Sequence, residues 1–246
     1  MSANRSLSQH LQSAISRLDV HALRARFLEQ GELLVQEEFL PETVLKAILE
    51  ELPGLRGAVH RNYVPRVKKG GSVSRHQLDR LAPIIPDLYR VPAFREFLEQ
   101  LTGETLLDCP DGDPHAYALY YYTEPGDHIG WHYDVSYYRG KRYTLLLGLV
   151  DRSGCRLECE LHRADRKRAS RFLSLALAPG MLVFFNGDTV WHRVTPLGEG
   201  EERVCLSLEF VTDQRMTLWH RFVSDMKDSI AYFGFRQVFR RRPPPS

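Results

Sequence analysis

Gly187-Asp188-Thr189-Val190-Trp191-His192-Arg193-Val194-Thr195-Pro196-Leu197-Gly198-Glu199-Gly200-Glu201-Glu202-Arg203 holds two β-prone runs around a segment of proline, glycine and acids. Such a segment predicts a turn with a strand on each side. The same texture extends over the second half of the chain. Ala116–Tyr122, Arg142–Val150, Arg156–Leu161, Phe172–Leu177, Met181–Phe185, Val190–Thr195 and Arg203–Val211 are short segments rich in Val, Leu, Phe, Tyr and Thr, parted by Gly, Pro, Asp and Asn. Strands at this spacing point to a β-sandwich or jelly roll.

The first third reads as helix. Leu7, Leu11, Ile15 and Leu18 share one helical face, and a second helix follows over His21–Gln30. A short strand is expected at Gly31–Val35. Pro41 and Glu42 then open a helix that runs to Leu52, and another covers Pro92–Thr102. Residues 57–75, with Arg61, Arg66, Lys68, Lys69, Gly70 and Gly71, read as a basic loop. A last helix is expected over Thr217–Ile230, before a frayed tail at Arg240–Pro245. The expectation is therefore one domain over 1–246. Residues 1–112 form a mainly helical support, 113–212 a β-core, and 213–246 a C-terminal helix and tail.

Composition excludes little. The chain has 246 residues, 43% hydrophobic and 26% charged, which suits a globular fold. A net charge of +2 implies neither a nucleic acid nor a membrane surface as partner. The apolar runs fall short of a membrane span, and the first residues lack the apolar core of a signal peptide. The four cysteines make no CxxC pair, so a reducing cytoplasm is the expected compartment.

His132-Tyr133-Asp134 carries the chemistry. In extended chain, residues i and i+2 point the same way, so His132 and Asp134 can share one ion. A second histidine completes a two-histidine, one-carboxylate triad, which leaves three positions open on iron(II). His192 is the best candidate. If a hairpin is centred between Leu197 and Gly198, Arg203 faces His192 across the strands. An arginine fork there matches the far carboxylate of a 2-oxo diacid whose other end chelates the metal.

With H-x-D, the downstream histidine and its arginine quoted, the chain resembles the Fe(II)/2-oxoglutarate dioxygenase superfamily over residues 113–212. The resemblance implies a mainly β fold with flanking helices, a double-stranded β-helix (jelly roll) core packed against N-terminal helices. It implies that His132, Asp134 and His192 bind Fe(II), that Arg203 anchors 2-oxoglutarate, and that dioxygen is the oxidant. It also implies that Tyr120 and Tyr122 offer hydroxyls to the co-substrate. Departures narrow the branch. Cys205 stands where a serine often follows the arginine, and Glu209 stands where nucleic-acid demethylases carry a second arginine. Asp134 is present where radical halogenases have a small residue. Small-molecule hydroxylases are the nearest in texture, close to the free-amino-acid halogenase and hydroxylase group.

Other residues admit plainer readings. Alternation from Arg203 turns Ser207 and Glu209 inward, where Glu209 either binds a cationic substrate group or ion-pairs with an arginine. His128 reads as a packing residue or a substrate contact. Arg66 belongs either to a solvated loop or to a lid that grips an acidic group. Trp131 and Trp191 point away from the metal into packing. The expected activity is hydroxylation of an aliphatic C–H bond of a small polar substrate, a free amino acid, with a basic one fitting Glu209. The alternatives are a cupin-like zinc or manganese hydrolase or isomerase, and a non-catalytic β-sandwich binding module.

Overall fold

A computed structural model describes residues 2–134 and 138–215. The helix expected over Thr217–Ile230 and the tail after it lie outside the described residues. Six helices are described: α1 Ser2–Ile15, α2 Val20–Glu29, α3 Glu42–Leu55, α4 Arg75–Leu81, α5 Ile84–Tyr89 and α6 Pro92–Thr102. The strands are β1 Leu33–Gln36, β2 His60–Val64, β3 Lys68–Ser74, β4 Leu107–Asp108, β5 Tyr117–Tyr122 and β6 His128–His132. They continue as β7 Arg142–Arg152, β8 Leu157–Leu161, β9 Arg171–Leu175, β10 Leu182–Asn186, β11 Trp191–Val194 and β12 Glu202–Val211.

Local chemistry explains the helix ends. Asp19 caps α2 by accepting the Ala22 amide at 3.0 Å. Pro92 opens α6, and Gly103 closes it in the left-handed conformation at φ +75°. The inner stripe of α6, Phe94, Phe97, Leu98 and Leu101, is buried in the main core with Phe27, Phe39, Ile48 and Leu88. Each such side chain contributes about 1.5–3 kcal/mol of burial.

All strand pairs are antiparallel, in the order β1-β10-β7-β12-β5-β3-β6-β11-β8-β9, with β2 on β3 and β4 on β12. The sheet curls into a jelly roll. The helices cover the outer side of its larger half, and the main core lies between. A second core, with Leu33, Leu146, Cys159, Leu161, Val183, Phe185 and Val194, fills the interior.

Two expectations are corrected here. Residues 57–75 are no loop: β2 and β3 form a hairpin, and β3 pairs with both β5 and β6. Gly70 and Gly71 conceal the strand from propensity reasoning, yet a Cβ on Gly71 would stand 2.6 Å from Val59 Cγ1. The glycine is there for close approach. The second correction concerns residues 192 and 203, which are not hairpin partners. β11 pairs with β6 and β8, whereas β12 pairs with β5 and β7. Between them the chain crosses from one half of the sheet to the other, held by reciprocal backbone bonds from Gly126 to Leu197 at 2.7 Å and from Leu197 to Asp127 at 2.9 Å.

The turn before β6 is pinned by Asp127, whose side chain is fully buried. Its carboxylate accepts Arg61 through two nitrogens at 2.6 and 2.9 Å, and the amides of Thr123 and Glu124 at 2.9 and 3.1 Å. Burial alone would raise this carboxyl, but Arg61 and the two amides hold it below the usual carboxylate range. Asp127→Ala is expected to lower stability by about 2–3 kcal/mol. In thermal melts that is a drop of roughly 5–10 °C. Because the folded-state pKa is depressed, the difference is full at neutral pH and fades as acid takes the solution below it.

Candidate metal centre

His132 closes β6, and Asp134 follows two residues on. β11 lies antiparallel to β6 with His192 directly opposite His132. The three side chains meet. Their ligand atoms lie within 4.8 Å of one another. His132 Nε2 is 3.4 Å from Asp134 Oδ1, His192 Nε2 is 3.7 Å from Oδ2, and the imidazole centroids are 4.2 Å apart.

Both rings are oriented from behind. His132 Nδ1 donates to the Gly130 carbonyl at 2.8 Å, and His192 Nδ1 donates to the Val190 carbonyl at 3.0 Å. A carbonyl can only accept, so Nδ1 of each ring carries a proton and Nε2 is the nitrogen turned toward the centre. Burial, with His132 alongside, pushes His192 down to about 4, so the ring is neutral at physiological pH. Asp134 is ionised: burial opposes this, but His192, His132 and Arg142 hold its carboxyl well below the usual range. Two imidazoles and one carboxylate suit a borderline divalent ion, iron(II) included.

Asp134 is fastened from two other segments. Its amide donates to the Gly187 carbonyl at 2.9 Å, and Thr144 Oγ1 donates to its Oδ2 at 2.7 Å. Gly187 comes so close that a Cβ there would sit 2.7 Å from the Asp134 Cβ.

The triad opens on a small interior cavity of about 50 Å³. Arg203 lines one end. Its side chain is 1% exposed, its guanidinium nitrogens have no hydrogen-bond partner among the described residues, and it lies 5.5 Å over the Tyr122 ring. A buried cation in that state fits a carboxylate. Tyr120 and Tyr122 line the same cavity, with Tyr121 turned to the other face of β5, and Lys68 lies 4.9 Å over the Tyr120 ring.

Thr144, Ser207 and Glu209 also line the cavity. Glu209 accepts Arg142 Nε at 2.9 Å and the Ser207 hydroxyl at 3.3 Å. Of the two sequence readings of Glu209, the ion pair is present. Burial, against the pull of Arg142, pushes this carboxyl up to about 6.

Two expected substrate residues are not brought to the cavity. His128 shares no face with His132, because β6 carries an extra residue against β11: Ile129 pairs with Val194 and His132 with His192. Ile129 therefore faces inward, and His128 Nδ1 donates to the Gly126 carbonyl at 2.8 Å. Arg66 is exposed at the tip of the β2–β3 turn at φ +64°. Trp131 and Trp191 do point away from the metal, and stack on each other at 6.2 Å. Sequence reasoning missed Arg142, Thr144 and Gly187. Arg142, Thr144 and Leu146 share one face of β7, but alternation does not show that this face meets Glu209.

The family model described as Halogenase D matches residues 15–139, just over half of the chain. No curated relative matches. Among solved structures, the non-haem α-ketoglutarate-dependent epimerase SnoN from nogalamycin biosynthesis superposes with a TM-score of 0.64 at 15% identity, covering 78% of this chain and 80% of that one. A prolyl hydroxylase from Trichoplax adhaerens gives 0.64 at 14%, covering 87% and 95%. A Pseudomonas putida prolyl-4-hydroxylase gives 0.56 at 18%, covering 80% and 100%. At these identities the likeness is one of fold, the double-stranded β-helix. On the family match, carried through by that fold, the chain belongs to the Halogenase D family.

Proposed function

We propose that this chain is an iron(II)- and 2-oxoglutarate-dependent oxygenase that hydroxylates an aliphatic C–H bond of a small polar substrate, a free amino acid or a close derivative. The observation that carries the reading is Arg203, a buried guanidinium without a hydrogen-bond partner among the described residues, in the cavity onto which His132, Asp134 and His192 open. A cupin-like zinc or manganese hydrolase would leave that cation with nothing to bind, and a binding module would need neither feature.

Bound at the triad, iron with 2-oxoglutarate and dioxygen supplies an oxidant able to attack an unactivated C–H bond. The protein does the rest. Arg203 fixes the far carboxylate of the co-substrate, with Tyr120 and Tyr122 beside it. Ile129, Leu146, Leu157 and Val194 line the cavity with apolar surface that excludes water. Asp134 fills the position that a halide would otherwise take, which supports hydroxylation in a family described as halogenases. Glu209 lines the cavity with its acid. Arg142 acts on both Glu209 and Asp113, so one guanidinium answers two carboxylates and leaves an attraction for a substrate amine.

The direct test is succinate release that requires both iron and 2-oxoglutarate, followed across a panel of amino acids and small acids. Arg203→Lys replaces a fork with a point charge and is expected to raise the 2-oxoglutarate requirement by about tenfold or more. An unchanged requirement moves the anchor elsewhere. Asp134→Gly should collapse hydroxylation, with a trace of halogenated product in chloride as an optional extra; full hydroxylation would show that Asp134 is no ligand. Glu209→Gln should weaken substrate binding by about 1.5–3 kcal/mol while co-substrate binding stays intact. A purely structural ion pair would instead lower the melting temperature and leave substrate affinity unaltered.

A further inference from the structure

Thr144 stands between the metal ligand Asp134 and the acid Glu209. Its side chain lies in the interior, and the residue is 2% exposed. Oγ1 lies 2.7 Å from Oδ2 of Asp134 and 3.0 Å from Oε2 of Glu209. A hydroxyl has one proton to give. Oε2 of Glu209 already receives Arg142 Nε–H at 2.9 Å, so the shorter contact assigns the Thr144 proton to Asp134.

That assignment has a consequence for coordination. Asp134 lies two residues past the end of β6, and its backbone is held by Gly187 alone of the contacts described above. The two carboxylate oxygens are almost equally near the imidazoles, Oδ1 at 3.4 Å from His132 and Oδ2 at 3.7 Å from His192. A carboxylate free to rock would offer both oxygens to an ion and take up an additional position. With Oδ2 spending a lone pair on the hydroxyl, Oδ1 is the oxygen left free to face an ion.

Resting on the metal reading above, we propose that Thr144 is a positioning residue: its hydroxyl holds Asp134 by Oδ2 and so turns the carboxylate to present Oδ1 to the ion. The positions thus left open are the ones that co-substrate and dioxygen need.

The test needs no turnover. Metal-free protein is titrated with Co(II), and binding is followed by visible absorption, whose intensity reports coordination number, for the parent, Thr144→Val, Thr144→Ser and Asp134→Ala. Removing the hydroxyl in Thr144→Val is expected to weaken Co(II) binding by about 10–100-fold. It should also alter the absorption spectrum, while Thr144→Ser restores both. Thr144→Ala repeats the removal with a smaller side chain and covers a failure of the valine variant to fold. Parental affinity and spectrum in Thr144→Val or Thr144→Ala, with Asp134→Ala impaired, would overturn the proposal and leave the metal reading standing. Parental affinity in Asp134→Ala would overturn the metal reading and the proposal together. A merely structural threonine would show a lower melting temperature with metal affinity and spectrum unchanged.

Discussion

The pairing of β6 with β11 is the constraint on which the centre depends. Directly opposed residues in an antiparallel ladder lie about 4.5–5.5 Å apart, close enough for two imidazoles to share an ion. His132 and His192 occupy one such opposed pair. The extra residue in β6 is part of the device. It turns Ile129 and His132 inward together, so an apolar wall and a metal ligand come from one short strand. Asp134, beyond the last ladder position, is then reached from the side by Gly187 and Thr144.

Curling of the sheet does the second half of the work. Arg203 belongs to β12, four strands away from β11 along the sheet order, yet both line one cavity. An anion held by Arg203 and a cation held by the triad therefore bind to opposite halves of the jelly roll, and a molecule that bridges them spans its interior. Charge is laid out to match. Arg203, with Lys68 over the neighbouring Tyr120 ring, brings positive charge to one part of the lining, and Glu209, paired with Arg142, brings an acid to another.

What could be read in advance follows from the range of each interaction. His132 and Asp134 are two residues apart, so extended chain turns them together, and Gly187 and Thr144 hold Asp134 there past the end of β6. Helix α6 announces itself through Pro92, Gly103 and an apolar stripe, whereas the short α4 and α5 carry no such signal. Arg203 lines the cavity, but not as the hairpin partner of His192 that the sequence spacing suggests. Its neighbours are Tyr122 and Asp151, from strands far off in sequence. The β2–β3 hairpin was hidden because Gly70 and Gly71 have poor strand propensity, and only contact with Val59 and Tyr121 explains them. Thr144 and Arg142 were hidden for another reason. Their partner Glu209 comes from the β7–β12 register, which joins residues 65 and 67 apart, and no local window contains both.

The buried guanidinium of Arg203 has a thermodynamic side. An unpaired charge in a closed interior is destabilising, and the unfolded chain, where water solvates it, escapes that strain. A ligand that neutralises it binds the folded state alone and shifts the folding equilibrium by RT ln(1 + [L]/Kd). At a hundred times its dissociation constant such a ligand adds about 2.7 kcal/mol, a large share of a typical domain's margin. A dicarboxylate seated there would thus act as a folding ligand, and the lifetime of the folded chain would track that ligand's concentration.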